Sequence, residues 1–346
     1  MQLVQFVIPE VGRRLGVLES STVCDVTSAD PELTGVYKAF GVAEGRGVSL
    51  SQLISEAVDS SDAQSRSFQE LWEAGPTGDR PHLLPPVDHP DPYRMLVTGT
   101  GLTHTGSMQS RNAMHSAPAE DAPQTDSARM FQMGIDGGRP AAGQRGTAPE
   151  WFYKGNGHIV RGHRGELELP AYALDGGEEP EIAGCYVIDS QGKPRRLGFV
   201  LGNEWSDHEY ERINYLYLAG SKLQTCSIGP VLNCSDPFEE ITLQCTVRRG
   251  DELLYDSGPL KSGQQWMCHS LTNLEDHHFK VGAHRRPGDV HLHFFGTSKL
   301  SFGNRDWKYQ PGDEIAINAP DFSPPLVNHV AAGPGEEAQP AVVKSC

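Results

Sequence analysis

No CxxC pair occurs among the seven cysteines of this 346-residue chain, which are Cys24, Cys185, Cys226, Cys234, Cys245, Cys268 and Cys346. Their number is odd, and several sit inside apolar runs where a thiol behaves as a small hydrophobe. A disulfide framework and a soft-metal site are therefore disfavoured, and reduced thiols in a cytoplasmic protein are the expectation. Long apolar runs are also missing, for no stretch approaches the roughly 20 residues of a membrane span. The opening "MQLVQFVIPEVGRRLG" lacks the charged start and long apolar stretch of a secretory signal. Basic residues are scarce, 29 against 45 acidic ones, for a formal charge of -16. Such a balance argues against a nucleic-acid backbone or an anionic membrane as partner. It leaves a small anionic substrate open, because local charge governs a pocket.

What is present suits an α+β protein. Apolar content is ordinary, so the chain can bury a core. Residues 1 to about 45 hold short β-rich runs such as "LVQFVIP", and "SLSQLISEAV" and "SFQELWEAG" have helical spacing. Residues 1–75 are expected to form a small N-terminal α/β unit. The Pro-, Gly- and Asp-dense residues 76–92 form a linker or tethered loop. From Tyr93 strands dominate, separated by Gly and Pro turns, and residues 93–330 make the main domain. Within it, residues 107–146 are polar and too long for an ordinary connection, as a functional lid or a disordered insertion would be. Residues 331–346 have the composition of a disordered tail.

One stretch raises a chemical question. "EEPEIAGCYVI", residues 178 to 188, is a strand that begins with acids, and Glu179 and Glu181 share a face because positions two apart do so in an extended chain. A polar turn leads to a second apolar strand, "LGFVLGNEW", so the two read as a hairpin. A symmetric register pairs Ile188 with Leu197 and sets Glu181 opposite Glu204, with Cβ atoms about 5 Å apart. Three converging carboxylates repel unless water or a cation intervenes, and an all-oxygen set suits Mg²⁺, Mn²⁺ or Ca²⁺ rather than zinc. A solvated acidic strand end is the competing reading, and a single turn bulge would send Glu204 to the other face.

In their order, "EWFYKGNGHIVRGHRGELELP", the Glu-x-Glu strand, "GNEWSDHEYE", "SKLQTCSIGP", "HFFGTSKLSFG" and "YQPGDEIAIN" resemble the fumarylacetoacetate hydrolase superfamily over about residues 93 to 330. "MLVTGTGLTHTGS" resembles the branch found beside bacterial arabinose and other sugar-acid catabolism. The resemblance implies a mixed β-sandwich roll, a homodimer, and Mg²⁺ or Mn²⁺ held by Glu179, Glu181 and Glu204. It implies a 2-keto acid substrate, with the ion polarising the ketone as a Lewis acid. Lys222 corresponds to a family lysine that can serve as a base, although its spacing to the following Gly-Pro is shorter than in many members. Thr297 and Ser298 stand where a turn closes on the substrate carboxylate, and Lys154 stands as a pocket wall. His104 and, in the lid, Arg111 and His115 are further candidates, His104 as a proton donor to a leaving hydroxyl and Arg111 as a clamp on the substrate. The histidines of "HHF" (277 and 278) and "HLHF" (291 and 293) are read as ordinary strand and loop residues.

Three functions follow. The leading one is a lyase that dehydrates a 2-keto-3-deoxy sugar acid. The second is a hydrolase that cleaves a C–C bond in a 2,4-diketo acid or acylpyruvate. The third is a non-catalytic keto-acid-binding protein.

Overall fold

The strand that opens with acids is buried on both sides. In the computed structural model it spans Pro180–Ile188, and all nine of its residues are buried. The structure describes residues 1–60, 62–109, 125–234, 238–333 and 340–346. Ala183, Cys185 and Val187 enter one core with Phe294, while Ile182 enters a second with Phe199, Leu201, Trp205 and Phe295. A strand covered on both faces reads as a continuous apolar run rather than an alternating one. It also carries any carboxylate at its end inward.

The hairpin register differs from the symmetric expectation. Ile188 pairs with Pro194, not Leu197, and a bulge after Cys185 leaves Glu181 opposite Gly202 rather than Glu204. The tight turn displaces the pairing by three residues (197 against 194), and the bulge at Leu197 restores one of them. The net displacement at the acidic end is two, and an even shift preserves the face of every side chain. Glu204 therefore still joins Glu179 and Glu181, and its N–H donates to the Glu179 carbonyl at 3.1 Å.

Among the described residues this hairpin is the middle of a thirteen-stranded mixed sheet. On one side lie Val290–Phe294, Met95–Gly101 and Glu150–Asn156, the first two parallel. On the other, Leu232–Asn233 pairs with Gln2–Ile8, so the N-terminal strands continue the same sheet. A second sheet of six strands, built on Ile241–Arg249, Glu314–Asn318 and Leu326–Ala332, contributes to the second core. The architecture is α+β, with two mixed sheets.

Helices Leu50–Val58 and Phe68–Glu73 occupy the two stretches with helical spacing, capped by Ser49 and Ser67, whose side chains accept from the N–H groups of Gln52 and Glu70. Val36–Arg46, read as part of a β-rich region, is a helix that buries Val36, Ala39 and Ala43 and ends on left-handed Gly47. Its internal glycines obscured the period. His277 and His278 lie on a helix, Leu271–Phe279, rather than on a strand or loop. Of the stretch expected as a lid, Asp126–Gly137 is a helix, and a Cβ at Gly134 would stand 2.7 Å from Cys268 Sγ. Arg111 and His115 lie outside the described residues. Leu83 pairs with Phe6, and Val87 is fully buried beside the N-terminal core. Among the described residues no helix is long and apolar enough to cross a membrane.

The residue opposite Glu181 has no room for a side chain. A Cβ at Gly202 would stand 2.5 Å from the Phe294 ring, so Gly202→Ala forces that ring aside. We expect a loss of about 1–3 kcal/mol in urea unfolding, and an unchanged midpoint would contradict this packing.

Candidate active site

Three chain segments meet at the acidic end of the hairpin. Glu179 precedes the strand, Glu181 opens it, and Glu204 follows the end of the partner strand at Asn203. The Asn203 side chain accepts from the Glu179 N–H at 3.1 Å and fixes the crossing. One carboxylate oxygen from each of the three glutamates lies within 4.8 Å of the others, and all three residues are buried. Adjacent Glu178 points elsewhere, accepting from Ser301 N–H at 2.6 Å and Tyr309 hydroxyl at 2.7 Å, as strand alternation requires.

Two lysines reach the cluster. Lys222, which caps the short helix Leu218–Ser221, pairs through Nζ with Glu179 and, at 3.3 Å, with Glu204. Lys154, on Glu150–Asn156, donates to the carbonyls of Trp205 at 2.5 Å and Lys222 at 2.9 Å, and lies 3.5 Å from Glu204 Oε1. It thus ties the two neighbouring segments together as well as lining the site. His208 sits 3.0 Å from Glu179 Oε1. No local pattern points to His208, because only the turn after Asn203 swings it back.

Burial and mutual repulsion divide the charge states. Burial, with Glu204 and Glu179 adding to it, holds the Glu181 carboxyl well above the usual range. Burial pushes Glu204 up to about 7 against the pull of Lys222. For Glu179 burial is opposed by Lys222 and His208, and the carboxyl ends well below the usual range. Burial would neutralise Lys222, but Glu179 and Glu204 outweigh it and raise its pKa, whereas for Lys154 burial prevails and lowers it. With three carboxylates against two lysines, the five groups carry one excess negative charge when all are ionised.

The donors present fit a hard divalent ion. Glu181 Oε1 and Glu204 Oε1 are buried without a hydrogen-bond partner, while Glu181 Oε2 accepts from the Gly296 N–H at 2.7 Å. Oxygen-only donors with unused lone pairs favour Mg²⁺ or Mn²⁺.

Gly296, at φ 93, turns the chain so that its N–H meets Glu181. The next two residues are the expected Thr297 and Ser298. The Thr297 hydroxyl donates to the Lys299 carbonyl at 3.1 Å, and Ser298 Oγ is buried without a partner. His104 is tied to this turn through Thr103, whose hydroxyl donates to the Phe295 carbonyl at 2.7 Å. That spends the hydroxyl proton, so the 2.9 Å contact with His104 is a donation from Nδ1 to Thr103 Oγ1. The tautomer leaves His104 Nε2 with a lone pair, buried and unpartnered. Burial lowers the pKa of this imidazole to about 4.

A carboxylic acid must lose its proton before it ligates a metal. With Glu204 near 7, Mg²⁺ binding should strengthen as pH rises from 6 to 8 and should release protons. Titration calorimetry in buffers of different ionisation enthalpy reads this directly. Heats independent of buffer, with flat affinity, would contradict the charge states described.

No family model matches the chain. A probable 2-keto-3-deoxyxylonate dehydratase of Haloferax volcanii is 27% identical over 310 residues, covering 88% of this chain and 91% of that protein. The structure of a 2-keto-3-deoxy-D-arabinonate dehydratase complexed with magnesium and 2,5-dioxopentanoate superposes with a TM-score of 0.68 at 18% identity, over 96% of this chain and 99% of the other. Maleylpyruvate hydrolase from Sphingobium sp. SYK-6, in complex with manganese and pyruvate, does so with a TM-score of 0.56 at 15% identity, over 96% of this chain and 100% of the other. The chain shares the fold of these two solved structures.

Proposed function

We propose that this chain is a divalent-metal-dependent hydro-lyase that removes water from a 2-keto-3-deoxy sugar acid, a pentonate such as 2-keto-3-deoxyarabinonate. The observation that carries this reading is the buried cluster of Glu179, Glu181 and Glu204 with two oxygens left unsatisfied. The dehydratases among the similar proteins support the substrate class. Mg²⁺ or Mn²⁺ held by the three glutamates would supply Lewis-acid polarisation of the 2-keto group and so acidify the C3 protons.

The chain's own residues supply the rest. Ser298 Oγ and the Gly296–Ser298 turn receive the substrate carboxylate, with Thr297 holding the turn through Lys299. Dehydration needs an acceptor for the C3 proton and a donor for the C4 hydroxyl. Lys222 and His104 are the groups that would exchange these protons, and ligation of an ion by Glu179 and Glu204 decides which way Lys222 works. His104, neutral with a free lone pair on Nε2, is suited to accept. Lys222 is held as an ammonium while it pairs with Glu179 and Glu204. It could accept a proton only if Glu179 and Glu204 directed their charge elsewhere, as ligation asks of them. Lys154 positions Glu204 and the Lys222 backbone rather than the substrate. Arg111 keeps its assignment as a substrate clamp.

The same lone pair on His104 could activate water, which favours C–C hydrolysis of an acylpyruvate as the second reading. The chain is read as a cytoplasmic homodimer with a small-molecule substrate. Residues 1–75 are taken as its N-terminal unit, 76–92 as the connector, 93–330 as the catalytic body and 107–146 as its lid, while residues 331 and 332 of the expected tail belong to the strand Leu326–Ala332.

Purified protein with Mg²⁺ is expected to convert 2-keto-3-deoxypentonate to 2-ketoglutarate semialdehyde. Release of pyruvate from acylpyruvates, without dehydration, would move the assignment to the hydrolase. Glu181→Ala should abolish turnover, and His104→Gln and Lys222→Met should each lower kcat by about 10²–10⁴. Full activity in Glu181→Ala would overturn the site.

A further inference from the structure

Two donors share one oxygen of Glu179. Lys222 Nζ and His208 Nε2 both meet Oε1, the imidazole at 3.0 Å. Lys222 is a long side chain with a second partner in Glu204 at 3.3 Å, whereas His208 is held from several directions. It is the first residue of the helix His208–Ile213 and is 2% exposed. The preceding Asp207 accepts from the Tyr210 N–H at 3.0 Å and from the Leu174 N–H at 2.8 Å, and its own N–H donates to the Ser221 carbonyl at 3.0 Å. Beside the ring, the Ser206 N–H donates to the Gly177 carbonyl at 3.0 Å, and a Cβ at Gly177 would run into His208 Nδ1. The Phe302 ring packs against the imidazole with centroids 5.4 Å apart.

The hydrogen between His208 and Glu179 belongs to the imidazole. Glu179 is ion-paired with Lys222, and a carboxylate oxygen only accepts, so Nε2 is the donor. Nδ1 is buried without a partner. The ring therefore makes one hydrogen bond through its nitrogens, and Glu179 receives it. A carboxylate that ligates an ion keeps its orientation through a bond of this kind from outside the ligand set. When Lys222 turns from Glu179 towards a substrate, His208 is the donor that stays on Oε1.

We propose that His208 is a positioning residue for the metal site, whose Nε2–H holds Glu179 Oε1 and keeps that carboxylate turned towards Glu181 and Glu204 after Lys222 has let go. The inference rests on the metal-dependent reading given above. Glutamine sets an amide N–H near the place of Nε2, and asparagine sets one near the place of Nδ1. Leucine fills the space with no donor at all. Mn²⁺ binding to the full chain without substrate, read from the electron paramagnetic resonance of the free ion, should weaken about 10–100-fold in His208→Asn and His208→Leu and stay within about threefold in His208→Gln. A ring that only fills space would be replaced as well by leucine as by glutamine, so equal Mn²⁺ affinity in those two variants would overturn the proposal. Should His208→Leu fail to fold in a urea titration, the two amides decide alone, and equal affinity in His208→Asn and His208→Gln would overturn it. Wild-type protein that binds no Mn²⁺ would remove the metal-dependent reading and this inference with it, whereas wild-type binding with indifferent variants would remove the role of His208 alone.

Discussion

Everything at this site follows from placing three carboxylates at the end of a strand that is buried on both faces. Removing each charge from water costs several kcal/mol, and the strand offers no route back to solvent. The fold compensates only in part. Two lysines approach from separate segments, one N–H comes from Gly296, and His208 meets Glu179. Two oxygens, Glu181 Oε1 and Glu204 Oε1, remain without a hydrogen bond, and one excess negative charge remains when all five groups are ionised. A protein gains nothing in stability from such an arrangement. A doubly charged ion would turn the deficit into a net positive site, which a keto acid's carboxylate could then neutralise.

The neighbouring residues serve that placement. Gly202 is small because Phe294 fills the space beside it, and the turn at Gly296 exists to direct an N–H at Glu181. Glu178, one residue from the cluster, anchors Ser301 and Tyr309 on the opposite side and so holds the loop that follows Ser298. Lys154 donates to the backbone on both sides of the cluster, so its removal would loosen Glu204 and Lys222 together. The same geometry selects the His104 tautomer, through a hydroxyl whose proton is already committed to Phe295.

Much of this was legible before the structure. The Glu-x-Glu spacing, the apolar run behind it and the short polar turn were enough to bring three acids together. The register was not legible, since the turn is tighter than a symmetric hairpin and a bulge at Leu197 partly offsets it. The convergence survived only because the residual shift is even. His208 and the N–H of Gly296 were invisible, because each reaches the cluster through a change of chain direction that no local period encodes. The histidines at 278, 284, 291 and 293, distributed over a helix, a turn and a strand, pack together with ring centroids 4.7 to 5.8 Å apart, which sequence distance concealed.

The account stands on a single ion being shared by Glu179, Glu181 and Glu204. A crystal grown with Mn²⁺ and examined at the manganese absorption edge tests this most directly. The expected result is one anomalous peak about 2.0–2.2 Å from an oxygen of each glutamate, with Lys222 displaced from Glu179. A map without that peak, in which Lys222 still grips Glu179, would contradict it.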